Sequence, residues 1–310
     1  MKLANAVFKG GGVKGIALTG ALCAVEAEGW RWKGVAGTSA GAITAALVAA
    51  GYEGYDVHQI INGLDFNLFK DKESGLKFIN VWRHEGVYKG QYVIDLMNRL
   101  LSEKLGKAEV TFADLPIPLR VVATDLTNKR MLTFPDDLAG APYGLVNPHL
   151  FPVAEAVRAS MSIPLFFEPY QLRLPNGTTA TLVDGGLLSN FPIHLFAPQG
   201  TKEDVPTFGF CLESPHDAEP HPTDTLEHFL AALVDTVLSG RDNSDQHNQT
   251  YERSIMIPTG IYQTTQFDID QAGKDWLYLS GRKAGAEFLA TVDVQQWISG
   301  YSWVGAKTFD

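Results

Sequence analysis

Apolar and polar positions along this chain switch between two periods, and the switches mark its elements. Leu3 to Lys9 is a short, mostly apolar run, the pattern of a buried strand. From Lys14 to Glu28 the spacing becomes helical, with Ile16, Leu18, Ala21, Leu22 and Val25 on the apolar side and Gly29 as the stop. A second short strand, Gly34 to Ala36, runs into the sequence GTSAG, after which Ala40 to Ala50 is a run of small residues closed by Gly51. Strand, turn and helix, repeated in that order, predict an α/β fold built on a parallel sheet.

Between Tyr52 and Lys89 the regularity fades. The aromatics Phe66, Phe69, Phe78, Trp82 and Tyr88 follow neither period, which fits either a cap over a sheet edge or pocket, or ordinary core packing among small helices. Amphipathic spacing returns at Gln91 to Lys104, with Val93, Leu96, Met97, Leu100 and Leu101 on one face. Leu119 to Thr124 and Met131 to Phe134 read as buried strands. The segment YQLRLPNGTTATLVDGG carries two alternating stretches about Asn176-Gly177, a strong hairpin signal that leaves Asp184 at the end of the second strand. Further on, Thr225 to Leu238 and Gln271 to Leu289 read as helices with SIMIP as a strand between them, and Glu213 to Asp224 as a polar, proline-rich loop. Neither an internal repeat nor an interdomain linker is evident. One domain over residues 1–310 is expected, with a core at about 3–200, a cap or helical insertion at 52–110, and strands and helices of 201–310 completing the fold.

Composition narrows the partners. A chain of 310 residues, 45% hydrophobic and 19% charged, can bury a full-sized core. Its net charge of -10 argues against nucleic acid and against anionic lipid headgroups, so any transient membrane contact would be mainly apolar. Cys23 and Cys211 are too few and too far apart for a disulfide framework or a C-x-x-C site, as expected of reduced thiols in a cytoplasmic protein. The N-terminus MKLANAVFKGGG breaks into glycine before a signal peptide's apolar region can form, and no apolar run approaches the ~18 residues of a transmembrane helix.

The candidate chemistry begins at VFKGGGVKG. Gly10, Gly12 and Gly15 satisfy G-x-G-x-x-G, yet the acidic residue that a dinucleotide site needs at the end of the next strand is absent. A phosphate-binding P-loop fails as well, because Lys14 is succeeded by Gly15 rather than Ser or Thr. The next strand instead leads into Gly37-Thr38-Ser39-Ala40-Gly41, G-x-S-x-G at a strand-to-helix turn where a nucleophile elbow belongs. Side chains at Gly37 and Gly41 would collide with the neighbouring strand and helix, and the sharp turn exposes the Ser39 hydroxyl near a helix N-terminus. The early glycine turn then offers backbone N–H groups to the oxyanion of an acyl transfer. Two activators remain open. A Ser-His-Asp arrangement would use His194, His216, His221, His228 or His247, none in a recognisable setting. Alternatively Asp184, set at a strand end before Gly185 and Gly186, accepts the proton directly.

Four blocks in order, GGGVKG (Gly10–Gly15), GTSAG (Gly37–Gly41), ASMSIP (Ala159–Pro164) and DGG (Asp184–Gly186), resemble the patatin-like phospholipases. VVATDL, VDGGLLSNFP and the C-terminal FDIDQAGKDWLYLSGRKAGAEFL are similar to bacterial members, so the likeness spans essentially the whole chain and is weakest over about 52–110. The resemblance implies a three-layer α/β/α sandwich with a mainly parallel central sheet, and a Ser-Asp dyad needing no histidine, metal or cofactor. Ser39 would be the nucleophile and Asp184 the base, with the oxyanion hole from Gly11, Gly12 and Ala40. Gly10, Gly15, Gly37, Gly41, Gly185 and Gly186 would shape the turns around them. Lys14 falls where the family has a basic residue and is either a brace for the loop, a sensor of the substrate's phosphate, or a solvated first-turn lysine. Lys9 stands where many plant members have Asp, outside the proposed donors. Ser160 and Pro164 would be structural. The expected substrate is a phospholipid, a lysophospholipid or another fatty-acyl ester; the alternatives are a conventional histidine-dependent esterase and a catalytically silent lipid-binding module.

Overall fold

The computed structural model describes residues 2–70, 86–196, 204–214 and 253–291, with a few positions between 223 and 237. The strands are β1 (Lys2–Phe8), β2 (Trp30–Thr38), β3 (Gly86–Tyr88), β4 (Leu119–Asp125), β5 (Arg130–Phe134), β6 (Leu165–Phe167), β7 (Tyr170–Arg173), β8 (Thr179–Asp184), β9 (Thr207–Glu213) and β10 (Ser254–Pro258). The helices are α1 (Ile16–Ala27), α2 (Ala40–Ala49), α3 (Gly54–Asn62), α4 (Gln91–Leu105), α5 (Val153–Ser160), α6 (Gly186–Ser189) and α7 (Gln271–Thr291). Every strand and helix expected from the sequence within the described residues is present. The helix expected over Thr225–Leu238 lies largely outside them, as do Phe78 and Trp82.

An eight-stranded sheet runs in the order β10-β9-β1-β2-β4-β8-β7, with β5 also on β4. Five strands, β10 to β4 in that order, are parallel, whereas β5 and β8 run antiparallel to β4 and β7 antiparallel to β8, so the sheet is mixed and its parallel half carries the glycine turn and the elbow. Helices cover it on both sides in three layers. Ala4, Ala6 and Phe8 of β1 face the larger core with α1, α2 and α7, while Val7 faces a smaller cluster with Ala36, Cys211 and Phe191. This is the period-two division of a buried strand.

Three details differ from the sequence pattern. β2 starts at Trp30 rather than Gly34, because Trp30 and Trp32 point into the core and meet Phe208 edge-on while Lys33 between strand neighbours stays exposed. α1 starts at Ile16 because Gly12–Gly15 forms a 3₁₀ turn. β3 and β6 make a small parallel sheet of their own that local spacing does not announce. In the irregular stretch after Tyr52, Phe66 and Phe69 are buried in the main core and stack on each other, so this described part is packed core.

The site depends on β4. Its residues Val121–Asp125 pair with β5 on one edge. A strand has only two edges, so β2 and β8 share the other, β2 against Leu119–Val122 and β8 against Ala123–Asp125. β2 runs parallel to β4 and β8 antiparallel to it, so their C-terminal ends meet head-on. Thr38 pairs with Val122 and Asp184 with Ala123, positions roughly 3.3 Å apart along the strand. Neither chain can continue straight, and both turn out of the sheet at that point.

On the larger face, α1 and α7 cross at two glycines. A Cβ on Gly20 would lie 2.0 Å from the Tyr278 carbonyl oxygen, and one on Gly281 would lie 1.9 Å from that of Ala17. Alanine in a helix interior ordinarily gains up to about 1 kcal/mol over glycine. Here the methyl drives the helices apart, at an overpacking cost of about 1–3 kcal/mol. Gly281→Ala should therefore lower the thermal unfolding midpoint, and a higher midpoint would contradict the close crossing.

Candidate active site

Ser39 is the residue at which β2 leaves the sheet. Its backbone sits at φ 53°, ψ -128°, a corner that L side chains rarely adopt. Its N–H donates to Ser160 Oγ at 2.8 Å, and that hydroxyl donates to the Val122 carbonyl at 2.6 Å. Its carbonyl accepts the Ala42 N–H at 2.8 Å, the first turn of α2. A Cβ on Gly37 would lie 2.3 Å from the Gly41 carbonyl oxygen, and one on Gly41 would lie 2.3 Å from that of Phe8. Elbow, helix and neighbouring strand thus touch backbone to backbone, and only glycine permits it.

The first glycine turn lies against this elbow. Gly10 N–H donates to the Asn190 carbonyl at 3.0 Å, and a Cβ on Gly10 would come within 3.1 Å of the Ser39 Cβ. Gly15 lies against Ala40 at 3.3 Å by the same measure. Gly12 has φ 53°, and its neighbour Val13 donates to the Thr264 carbonyl at 3.0 Å. Lys14 N–H closes the turn on the Gly11 carbonyl at 3.1 Å. The N–H groups of Gly11, Gly12 and Ala40 have no acceptor among the described residues. The Lys14 side chain is buried, which removes the reading of it as a solvated first-turn lysine.

Asp184 arrives from the opposite direction and is buried. One carboxylate oxygen, Oδ1, accepts the Gly186 N–H at 2.8 Å; Oδ2 is buried without a hydrogen-bond partner among the described residues. Burial pushes the carboxyl up to about 6, against the opposing pull of the Ser39 hydroxyl and the Gly186 amide. That hydroxyl therefore lies beside the carboxyl, although no hydrogen bond of ordinary geometry joins them, as in many unliganded sites. The Asp184 N–H donates to the Ser162 carbonyl at 2.8 Å, and a Cβ on Gly185 would lie 2.2 Å from the Val122 carbonyl oxygen. A nearly dry carboxylate beside a hydroxyl on an elbow, with unused amides on the adjoining turn, is an arrangement suited to acyl transfer.

Of the histidines considered from sequence, His194 is solvent-exposed on the 3₁₀ turn Ile193–Leu195, and His216, His221, His228 and His247 lie outside the described residues. Among the described residues no cluster of three or more His, Cys, Asp or Glu could hold a metal ion, and no helix is long and apolar enough to cross a membrane. Sequence reasoning missed Val122, Asn190, Ser162 and Thr264, which contribute backbone carbonyls. Such contacts leave no mark on residue type.

The patatin-like phospholipase profile matches residues 6–197, which contain all four motif blocks. The chain belongs to this family. Its members are lipid acyl hydrolases, enzymes that cleave carboxylic esters. Among similar proteins, YqhO of Bacillus subtilis is 39% identical over 303 residues, 94% of this chain and 98% of its own length. The cUMP-AMP-activated phospholipase of Escherichia coli is 30% identical over 196 residues, covering 61% of this chain and 55% of the relative. VipD from Legionella pneumophila shares the patatin fold, with a TM-score of 0.58 at 20% identity, over 93% of this chain and 67% of that one.

The Asp184 carboxyl has a consequence for stability. Its native pKa of about 6 lies above the 3.8 of an unperturbed Asp, so the folded state holds the proton more tightly than the unfolded one. The stability this gives is complete below about pH 4 and is lost as pH rises through about 6. At pH 8 wild type carries the full cost of a buried charge, and Asp184→Asn does not. The variant should be more stable at pH 8 by up to about 3 kcal/mol, a gain that shrinks toward pH 4, as read by denaturant unfolding at each pH. Equal stability at pH 8 would place the charge in a well-solvated environment.

Proposed function

We propose that this family member hydrolyses the carboxylic esters of phospholipids or lysophospholipids with a Ser39–Asp184 dyad. The observation that carries this reading is the head-on meeting of β2 and β8 along one edge of β4, which brings the elbow serine and the buried carboxyl together. In this mechanism Asp184 removes the proton from Ser39 Oγ as that oxygen attacks the ester carbonyl carbon. The resulting oxyanion takes hydrogen bonds from the Gly11, Gly12 and Ala40 amides, whose lack of other acceptors among the described residues supports the assignment. Collapse breaks the bond to the alcohol, which leaves with the proton from Asp184, and the acyl group stays on Ser39. Water then attacks the acyl-enzyme, giving its proton to Asp184 and its oxygen to the fatty acid, and Ser39 recovers its proton. Lys14, buried within the turn that carries the amides, is assigned to bracing that turn.

Hydrolysis of a short-chain chromogenic ester tests the dyad. Ser39→Ala and Asp184→Asn should each lose at least about 10³-fold in kcat/KM, comparable to removing part of a nucleophile–base unit elsewhere. Alanine at His194, His216, His221, His228 or His247 should leave the rate near wild type; a loss of orders of magnitude at one of them would replace the dyad with a histidine-dependent triad. Covalent labelling by a fluorophosphonate, absent in Ser39→Ala, excludes a silent lipid-binding module.

The base must be ionised to accept a proton, so kcat/KM should rise with pH through about 6 and level off above it. An activity that falls over that interval would contradict the role given to Asp184.

A further inference from the structure

The ASMSIP block takes no part in the chemistry above, yet it touches both halves of the site. Ser160 ends α5 and is completely buried. Its Oγ accepts the Ser39 N–H at 2.8 Å and donates to the Val122 carbonyl at 2.6 Å, while its own carbonyl accepts the Gly185 N–H at 3.4 Å. Two residues on, the Ser162 carbonyl accepts the Asp184 N–H at 2.8 Å. The turn is itself anchored from the α5 side. Buried Arg158 donates to Ser162 Oγ at 2.5 Å, to the Lys89 carbonyl at 3.1 Å and to the Glu168 carbonyl at 2.7 Å.

We infer that Ser160 is a positioning residue whose hydroxyl holds the Ser39 backbone in its positive-φ corner and so fixes the nucleophile relative to Asp184. The inference rests on the dyad proposed above. A single hydroxyl does two things here that few side chains of its size can. By donating to Val122 it turns a lone pair toward the Ser39 amide, and it ties the elbow to the strand that both catalytic ends adjoin. It also occupies the Ser39 N–H, which leaves the next amide, that of Ala40, for the oxyanion. Without the hydroxyl, the Ser39 amide is buried with no acceptor, and the backbone gains by relaxing toward negative φ. That relaxation swings the Cα–Cβ bond, and with it the Oγ, out of line with the carboxyl.

The test compares Ser160→Ala and Ser160→Thr with Thr19→Val. Thr19 is an equally buried hydroxyl, bonded to the Ile16 carbonyl at 2.7 Å within α1 and 3.3 Å from His58 Nδ1, and its bonds reach neither Ser39 nor Asp184. Ser160→Ala should slow both kcat on a short-chain ester and fluorophosphonate labelling of Ser39 by about 10- to 100-fold, the span of one buried hydrogen bond. KM should stay within about 3-fold, the signature of an interaction that matters to the transition state rather than to binding. Ser160→Thr, which keeps the hydroxyl, should recover part of the rate, and Thr19→Val should keep the wild-type rate even where its unfolding midpoint falls as far. Wild-type rates in Ser160→Ala, or an equal loss in Thr19→Val, would overturn the role. If Ser160→Ala does not fold, Ser160→Cys, with a weaker acceptor of similar shape, is read in the same way. Failure of wild type to label at Ser39 would instead overturn the nucleophile assignment. The positioning contact is then judged by hydrogen exchange of the Ser39 amide, which accelerates in a Ser160 variant if the contact holds and is unchanged if it does not.

Discussion

Two strands that end against the same edge of a third are the constraint on which the rest of this molecule depends. With β5 on one side of β4, the other side must serve both β2 and β8, and it is long enough for both only if each stops where the other begins. The sharp turns at Ser39 and Asp184 are the geometric consequence of that collision. A chain forced out of a sheet must place its next residues in unusual backbone geometry, close to other backbone. The positive φ of Ser39 and the near contact of Gly185 with the Val122 carbonyl are both products of this one junction.

The junction also accounts for the electrostatics. Carboxylates avoid sites where water cannot reach them, and a strand end buried beneath a turn is such a site. Asp184 receives one backbone amide and a neighbouring hydroxyl there, too few partners to offset its burial, and its proton affinity rises accordingly. A group made costly to ionise near neutral pH is a poor contributor to folding there, and a raised proton affinity is also what the base role proposed for Asp184 would use. Around it the polar contacts run largely through backbone: Asn190, Thr264, Val122 and Ser162 all act through carbonyl groups. The two turns are thereby held mainly by main-chain geometry.

How much of this is legible in the sequence differs from element to element. Long elements with steady spacing, such as α4 and α7, have ends within one or two residues of those expected, because a helix's apolar stripe is a local property. The hairpin is equally plain from Asn176-Gly177. β2 reads too short, since WRWK alternates large aromatic with basic residues and only the tertiary partner Phe208 shows which side is buried. The small β3–β6 sheet leaves no signal, because three-residue strands carry less than two periods of pattern.

By itself the sequence determined which residue types stand at each turn: glycines where backbone must meet backbone, a serine at an elbow, an aspartate before two glycines. These are local requirements of backbone conformation and reactivity, and they are written residue by residue. The tertiary structure alone decided that the strand ends carrying the serine and the aspartate adjoin, that the hairpin joins the parallel sheet at β4, and that Ser160 reaches the elbow across 121 positions of chain. Those outcomes depend on which strand edges remain free once others are filled, a competition among distant segments that no local pattern encodes.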